Sequence, residues 1–155
     1  HYEMELVVAI GKPAFRVDTG RALDAVYGYA CGLDMTRRDR QQDGKDARRP
    51  WSLGKDFENS AVIAAINPVA QFGAVTSQRI SLSVNGAIKQ DAQLSDMVWS
   101  VPEIISHLSH YYHLGAGDLI MAGTPAGVGP VVSGDMICGG ISGLCDVTLT
   151  IGPAE

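Results

Sequence analysis

The chain has 155 residues, of which 46% are hydrophobic and 19% charged, a balance that suits one ordinary domain and excludes a disordered chain. A formal net charge of −5 and the lack of a basic stripe with interleaved aromatics argue against a nucleic-acid partner. No apolar run approaches the ~20 residues of a membrane span, so no membrane association is predicted. Three cysteines without C-x-x-C spacing predict reduced thiols in a cytoplasmic protein.

The first half of the chain contains two predicted buried strands. Residues 3–10 are rich in valine and isoleucine and end before a Gly-Lys-Pro sequence, which predicts a strand. A short helix is predicted over about 18–27, and a second apolar strand over 29–35. The polar and charged residues 36–49 are predicted to form a surface excursion, and 61–66 is a short apolar run.

The second half begins with a β-hairpin. Residues 80–84 alternate between apolar and polar, Asn85-Gly86 follows, and residues 87–90 continue as a second strand. An Asn-Gly pair between two such runs predicts a type I′ turn. This hairpin is the strongest local signal in the sequence.

A helix is predicted after the hairpin. Ser100 and Glu103 have the spacing of a capping box, an apolar face follows, and Gly115 is the predicted end. Histidines 107, 110 and 113 lie at i, i+3 and i+6 of this segment, so the outer two are about 240° apart around a helix. They are therefore predicted to be surface or partly packed histidines rather than a zinc site.

Glycine is abundant, with 18 residues mostly in the second half, which predicts many turns and short strands. Further strands are predicted over 118–122 and 147–151, with the glycine-rich segment 123–130 between them. That segment lacks the Gly-Lys-Ser/Thr ending of a phosphate-binding loop, so a nucleotide site is not predicted. The whole pattern predicts a single α+β, mainly β, domain over residues 1–155.

Three carboxylates are the candidate metal ligands. Glu3 and Glu5 are two apart on a strand, so they share one face with Cα atoms roughly 6.5–7 Å apart. One interpretation is that the pair lies on an exposed strand edge. The apolar Val7 and Ala9 on the same face favour the other interpretation, in which the pair faces inward. Two buried carboxylates repel each other, so an inward-facing pair needs a cation. Asp34 ends a buried strand and is a good third ligand, and the alternative for it is to cap a helix. Three carboxylates suit Mg²⁺, Mn²⁺ or Ca²⁺.

Four segments, in this order, resemble the fumarylacetoacetate hydrolase family: residues 1–12, 28–39, 49–57 and 122–130. The similarity spans nearly the whole chain, and within the family it is greatest to the acylpyruvate hydrolases, particularly those acting on fumarylpyruvate. The resemblance implies the family's β-rich, sandwich-like roll and a homodimer. It also implies metal ligands Glu3, Glu5 and Asp34 for Mg²⁺ or Mn²⁺, a catalytic Lys55, and substrate-binding Arg38, Gln41 and Thr124.

The implied activity is hydrolysis of a C–C bond in a small 2,4-diketo acid, giving pyruvate and a carboxylic acid. The alternative on the same core is oxaloacetate decarboxylation or keto–enol tautomerisation, neither of which needs an activated water. A third hypothesis is a non-catalytic metal-binding or dimerisation module. Such a module would not need Lys55.

The family's water-activating base is a His–Glu pair upstream of the Glu-x-Glu strand. Because the sequence begins at His1, we expect the natural protein to carry a further segment before it. Without such a base, hydrolysis would be slower by roughly 10²–10⁴-fold.

Overall fold

The computed structural model describes residues 1–153, which form two antiparallel sheets with short helices, as the α+β, mainly β prediction requires. None of the helices in that range is long and apolar enough to cross a membrane. The strands are β1 (Met4–Ile10), β2 (Val26–Asp34), β3 (Ala61–Ile63), β4 (Asn67–Pro68), β5 (Arg79–Val84), β6 (Ala87–Gln93), β7 (Leu119–Met121), β8 (Met136–Ile141) and β9 (Val147–Thr150). The helices are α1 (Thr19–Ala22), α2 (Arg38–Asp46), α3 (Ser52–Lys55), α4 (Val69–Phe72) and α5 (Val101–Ser109), with 3₁₀ turns at Leu23–Ala25 and Leu94–Asp96.

The first sheet has the order β3-β2-β1-β7, with β4 also paired to β2. Its central pair is β1 with β2, in which Met4 lies opposite Leu33 and Val8 opposite Tyr29. Every residue of β1 is buried, because both faces of the strand are covered. The two strands predicted from the first half of the sequence are thus the centre of the molecule.

The second sheet has the order β6-β5-β8-β9 and packs on the first, with β1 against β5 and β2 against β8. The predicted hairpin is confirmed: Asn85 and Gly86, with φ of 51° and 79°, join β5 to β6. Leu6 from the first sheet and Leu82 and Ile137 from the second are fully buried in the shared core.

Strand β8 was not predicted, because its two central glycines give a weak strand pattern. The structure shows why a glycine is there: a Cβ at Gly139 would lie 2.5 Å from the sulfur of Met4 on the facing sheet. This segment therefore forms a strand because it pairs with β5 and β9 in the sheet, although its local strand propensity is low.

The segment 36–49 differs from its prediction, since most of it is the helix α2. This helix is polar almost all round and buries only Gln41, so it has no apolar stripe from which it could be recognised. It packs against α3, and its first turn faces the candidate site described below.

Helix α5 begins as predicted, with the Ser100–Glu103 capping box formed and the Ser100 N–H donating to Glu103 Oε2 at 2.7 Å. It ends at Ser109 and not at Gly115, so the predicted end was wrong. The chain leaves the helix because Leu114 pairs with Ala14 through two backbone hydrogen bonds. Tyr111, predicted on the apolar face, is consequently exposed.

Candidate metal and substrate site

Three carboxylates meet at one end of the central strand pair. Glu3 and Glu5 flank Met4 at the start of β1, and the Asp34 N–H at the end of β2 donates to the Glu3 carbonyl oxygen at 2.9 Å. Glu3 and Glu5 are only 7% and 4% exposed, which is the inward orientation that the apolar continuation of their face favours. One carboxylate oxygen from each of the three residues lies within 4.8 Å of the other two. The antiparallel register of β1 and β2 is what assembles this cluster.

The Lys55 ammonium lies against two of these carboxylates. Its Nζ donates to Glu3 Oε2 at 2.6 Å, to Asp34 Oδ2 at 2.6 Å and to Thr36 Oγ1 at 2.8 Å. Lys55 is the last residue of α3, which is tethered to the cluster because the Arg37 N–H donates to the Gly54 carbonyl oxygen. The structure therefore brings the predicted catalytic lysine together with the predicted ligands.

These ion pairs shift the proton affinities of Glu3 and Lys55 in opposite directions. Burial by itself raises the pKa of Glu3, but hydrogen bonds from Lys55 and Arg38 outweigh it and hold the pKa below its ordinary value. Burial lowers the pKa of Lys55, yet its bonds to Asp34 and Glu3 outweigh that effect and raise it. Lys55 is thus a protonated, positively charged group at neutral pH, unsuited to act as a base.

Arg38 and Gln41 join the cluster from α2. Arg38 Nη2 donates to Glu3 Oε1 at 2.7 Å, and Arg38 Nη1 donates to Gln41 Oε1 at 2.8 Å. Gln41 is buried against α3, where a Cβ at Gly54 would lie 2.9 Å from the Gln41 backbone nitrogen. The unpredicted helix α2 is therefore the element that places these two predicted substrate-binding residues.

Glu5 differs from the other two acids because none of residues 1–153 forms a salt bridge with it. Its Oε2 accepts the Gly123 N–H at 2.7 Å. Burial raises the pKa of Glu5 to about 7, with the neighbouring Asp34 and Glu3 charges adding to the shift and the Gly123 bond opposing it. The ionised form of a buried carboxylate that lies beside two other carboxylates is stabilised by a nearby positive charge.

The charge balance of the cluster fits a divalent cation. Two cationic side chains, Lys55 and Arg38, face three carboxylates, and both of them bind Glu3 rather than Glu5. Carboxylate oxygens are the donors that Mg²⁺, Mn²⁺ and Ca²⁺ prefer, with water completing the coordination shell. Within residues 1–153 this is the only such grouping of three acidic, histidine or cysteine side chains.

Thr124 lies at the edge of the cluster, next to Gly123, and borders a cavity of about 770 Å³. Much of the cavity wall is apolar, from Met97, Trp99, Ile104 and Leu108 among others, with Asp96 as its charged residue. The Thr124 hydroxyl oxygen accepts a hydrogen bond from Gln90 Nε2 at 2.8 Å. Thr124 is thus connected to the acids through the Gly123–Glu5 bond rather than by direct contact.

The three histidines of the segment 107–113 lie away from the carboxylates. His107 is edge-on to Trp99 with ring centroids 4.9 Å apart, and His113, beyond the end of α5, stacks on Phe15 at 3.8 Å. The ring of His110 contacts the Ser106 carbonyl oxygen through Nδ1. Each histidine therefore has a local packing partner.

Two residues in the site were not predicted from the sequence. Thr36 holds the Lys55 ammonium and donates its hydroxyl hydrogen to the Asp34 carbonyl oxygen at 3.2 Å. Gln90 connects Thr124 to the metal-ligand strand, since its Oε1 accepts the Met4 N–H at 3.0 Å. The sequence carries no signal for Gln90, because a regular two-residue hairpin would pair the core residue Leu82 with Lys89, and only a β-bulge brings Gln90 opposite Leu82.

A family model described as fumarylacetoacetate (FAA) hydrolase C-terminal matches residues 1–151. A fumarylpyruvate hydrolase from a Ralstonia species is 54% identical over the whole of this chain and 80% of its own length. A mitochondrial oxaloacetate tautomerase of Homo sapiens is 41% identical, over 100% of this chain and 70% of its own. The crystal structure of fumarylpyruvate hydrolase from Pseudomonas aeruginosa in complex with Mn²⁺ and pyruvate has a TM-score of 0.97 and 42% identity, covering 99% of this chain and 66% of that one. The similarity extends over the full chain in sequence and in fold, and the protein belongs to the fumarylacetoacetate hydrolase family.

Proposed function

We propose that the protein is a metal-dependent hydrolase that cleaves a C–C bond of a 2,4-diketo acid, such as fumarylpyruvate, to pyruvate and a carboxylic acid. The observation that carries the proposal is the buried group of three carboxylates with the Lys55 ammonium against two of them. Similarity at 54% identity to a fumarylpyruvate hydrolase supports the substrate class.

In this proposal Glu3, Glu5 and Asp34 hold Mg²⁺ or Mn²⁺. Their oxygens lie close enough to share one ion, and Glu5 forms no salt bridge among residues 1–153. When bound, such an ion supplies Lewis-acid polarisation of the carboxylate and 2-keto oxygens of the substrate. The Mn²⁺ and pyruvate in the Pseudomonas aeruginosa relative support both the metal and the product.

Lys55 stabilises the charge that develops as the C–C bond breaks. Water adds to the distal carbonyl, and the electron pair of the cleaved bond passes to the pyruvate fragment, which leaves as an enolate and later takes up a proton. A fixed ammonium beside that oxygen lowers the energy of the transition state. Its hydrogen bonds to Glu3 and Asp34 place the ammonium for this electrostatic role.

Arg38, Gln41 and Thr124 bind the substrate. The Arg38 side chain remains 31% exposed while it holds Glu3, so it is accessible from solvent at the edge of the cluster. The Thr124 hydroxyl, with the backbone N–H groups of the glycine-rich loop, orients a substrate carboxylate by charge-assisted hydrogen bonds.

The proposal is tested by the loss of diketone absorbance of fumarylpyruvate, first with Mg²⁺ and then with excess EDTA. The expected result is Mg²⁺-dependent loss with release of one pyruvate for each substrate consumed. Absence of any loss from a preparation that binds the metal would contradict the hydrolase assignment. The Asp34→Asn variant is the control, because it removes one ligand oxygen charge and should behave like the EDTA sample.

A second candidate is oxaloacetate tautomerisation on the same site, favoured by the oxaloacetate tautomerases of Homo sapiens and Mus musculus at 41% and 39% identity. This reaction moves a proton and needs no water as nucleophile. Enol-to-keto conversion of oxaloacetate, followed by ultraviolet absorbance, distinguishes it. Conversion without any fumarylpyruvate cleavage would favour the tautomerase.

We also propose that the enzyme is a homodimer, as the family resemblance implies. A contiguous exposed surface formed by Trp99, His107 and Tyr111, beside the 96% exposed Val98, supports this, because exposed apolar patches mark association sites. Light scattering after size-exclusion chromatography should give twice the mass of one chain. Val98→Asp should shift the protein towards the monomer.

A further inference from the structure

Gln90 is a polar side chain in the core that the proposed chemistry does not yet use. It is 1% exposed and lies on β6 directly opposite Leu82. A bulge puts it there: Leu82 pairs with Gln90 and the next residue, Ser83, pairs with Ile88, so Lys89 is extra. The glycine-rich loop then approaches the bulge so closely that the Lys89 carbonyl leaves no room for a side chain at Gly127.

The Gln90 amide joins two parts of the site. Its Oε1 accepts the backbone N–H of Met4, the residue between Glu3 and Glu5, at 3.0 Å. Its Nε2 donates to Thr124 Oγ1 and to the Pro125 carbonyl oxygen, both at 2.8 Å. One side chain therefore ties the metal-ligand strand to the loop that carries Thr124.

The orientation of this amide is determined by its partners. If oxygen and nitrogen exchanged places, the NH₂ group would face the Met4 N–H, and the amide oxygen would face the Pro125 carbonyl oxygen. Both contacts would be repulsive, so the nitrogen must face Thr124. Gln90 is consequently a fixed donor to the Thr124 hydroxyl oxygen.

A fixed donor restricts what the Thr124 hydroxyl can do. A hydroxyl has one hydrogen to donate and two lone pairs to accept with. Because one lone pair is taken by Gln90, the hydroxyl hydrogen must point away from the amide. Thr124 is only partly buried and borders the cavity, so an acceptor there can receive that hydrogen.

We propose that Gln90 is a positioning residue that turns the Thr124 hydroxyl into a directed donor for the carboxylate of a bound 2-keto acid. The inference rests on the proposed function, because that function supplies the carboxylate. Without Gln90 no donor occupies the hydroxyl oxygen, so the hydroxyl hydrogen is free to rotate and the pocket loses a preoriented donor. A purely structural role would act through the Gln90–Met4 bond and would not depend on Thr124.

The test is a double-mutant cycle on pyruvate binding, measured by calorimetry in saturating Mn²⁺. Thr124→Val should weaken pyruvate binding by roughly tenfold or more, the usual effect of losing a hydrogen bond to a charged group. Gln90→Met should weaken it by a similar factor in the wild-type background, but less than about twofold in the Thr124→Val background. An equal loss from Gln90→Met in both backgrounds would overturn the proposal.

Gln90→Glu, measured at pH 8, decides the question if Gln90→Met does not fold. An ionised carboxylate still accepts the Met4 N–H, but it cannot donate to Thr124 and instead accepts the hydroxyl hydrogen. Pyruvate binding should then fall at least as far as in Thr124→Val. Unchanged binding by Gln90→Glu would contradict the proposal. Gln71→Glu, which adds the same charge at an exposed glutamine, is the matched control and should stay within twofold of wild type.

Two further readouts distinguish an effect of Gln90 through Thr124 from an effect through Met4. The Mn²⁺ dissociation constant should change less than about threefold in the Gln90 variants, and KM for fumarylpyruvate should rise more than kcat falls. Loss of Mn²⁺ affinity matching the loss of pyruvate affinity would mean that Gln90 acts through Met4, and the proposal would be wrong. If the wild-type protein neither binds pyruvate nor cleaves fumarylpyruvate, the proposed function is overturned together with this inference. If the enzyme is active but the effects of the Gln90 and Thr124 substitutions simply add, only this inference is overturned.

Discussion

At the scale of single residues, the Lys55 ammonium and a metal ion would be attracted by the same oxygens. Lys55 donates to Glu3 and Asp34, and both acids are also proposed metal ligands. Removing the lysine should therefore leave metal binding intact or stronger, while removing the positive charge that stabilises the breaking C–C bond in the proposed mechanism.

We therefore expect Lys55→Met to lower kcat by roughly 10²–10³-fold, the usual effect of losing one stabilising donor at a developing oxyanion. The Mn²⁺ dissociation constant, measured by calorimetry, should not increase. Lys89→Met, on the exposed face of β6, is the matched control and should keep wild-type turnover. Full activity in Lys55→Met would contradict the catalytic role of Lys55.

The second residue-scale prediction concerns Glu5 and pH. Burial raises the pKa of Glu5 from 4.5 to about 7, so between these values the folded protein holds a proton that the unfolded chain has released. The contribution of Glu5 to the free energy of unfolding is therefore most favourable below pH 4.5 and is lost as pH rises through 7.

Glu5→Gln removes this titration. In EDTA at pH 8 we expect the variant to be more stable than wild type by on the order of 2–3 kcal/mol, with little difference at pH 4.5. Urea unfolding at several pH values measures this. A difference that does not change with pH would show that Glu5 is not a buried titrating group.

At the scale of secondary-structure elements, the contact between α2 and α3 positions Arg38 and Gln41. Gly54 on α3 faces the Gln41 backbone so closely that a Cβ would lie 2.9 Å from its nitrogen and 3.1 Å from its Cα. Backbone atoms cannot rotate out of the way, so a larger residue must push the two helices apart.

We expect Gly54→Ala to raise KM several-fold and to destabilise the fold by about 1–3 kcal/mol. Gly20→Ala in α1 is the matched control, because a Cβ there has nothing within 4 Å and a helical alanine is favoured over glycine. Steady-state kinetics and thermal unfolding measure the two effects. An unchanged KM in Gly54→Ala would separate the helix contact from substrate binding.

At the scale of the whole molecule, the carboxylate cluster lies at one end of the β1–β2 pair, against which the second sheet packs. Glu3 immediately precedes β1 and Asp34 ends β2, and these strands contact β5 and β8 of the second sheet. Unfolding must separate the three carboxylates, so an ion bound to all three stabilises the complete fold.

Saturating Mn²⁺ should therefore raise the free energy of unfolding of the whole protein by about 2.7 kcal/mol at 100 times its dissociation constant. The increase should be reversed by EDTA and be much smaller in Asp34→Asn. Thermal unfolding followed by circular dichroism checks this. An equal increase in the variant would place the ion elsewhere.

Local chemistry was sufficient to predict several parts of this molecule. Some features depend only on neighbours within a few residues, so the sequence predicts them. They are the apolar runs of β1 and β2, the Asn85-Gly86 turn and the Ser100–Glu103 capping box. Alternation along a strand likewise predicted that Glu3 and Glu5 share one face, but it left open whether that face is exposed or buried.

Long-range packing decided the rest. Helix α2 has no apolar stripe, β8 contains Gly139 where a side chain would collide with Met4 of the facing sheet, and α5 ends early because Leu114 pairs with Ala14. The bonds of Lys55 to Glu3 and of Gln90 to Met4 span 52 and 86 residues of sequence. The sequence by itself determined which side chains are available for the chemistry, since residue type and local pattern are encoded in neighbours. Only the tertiary structure decided which of them meet, because those contacts depend on how the two sheets and α2 pack together.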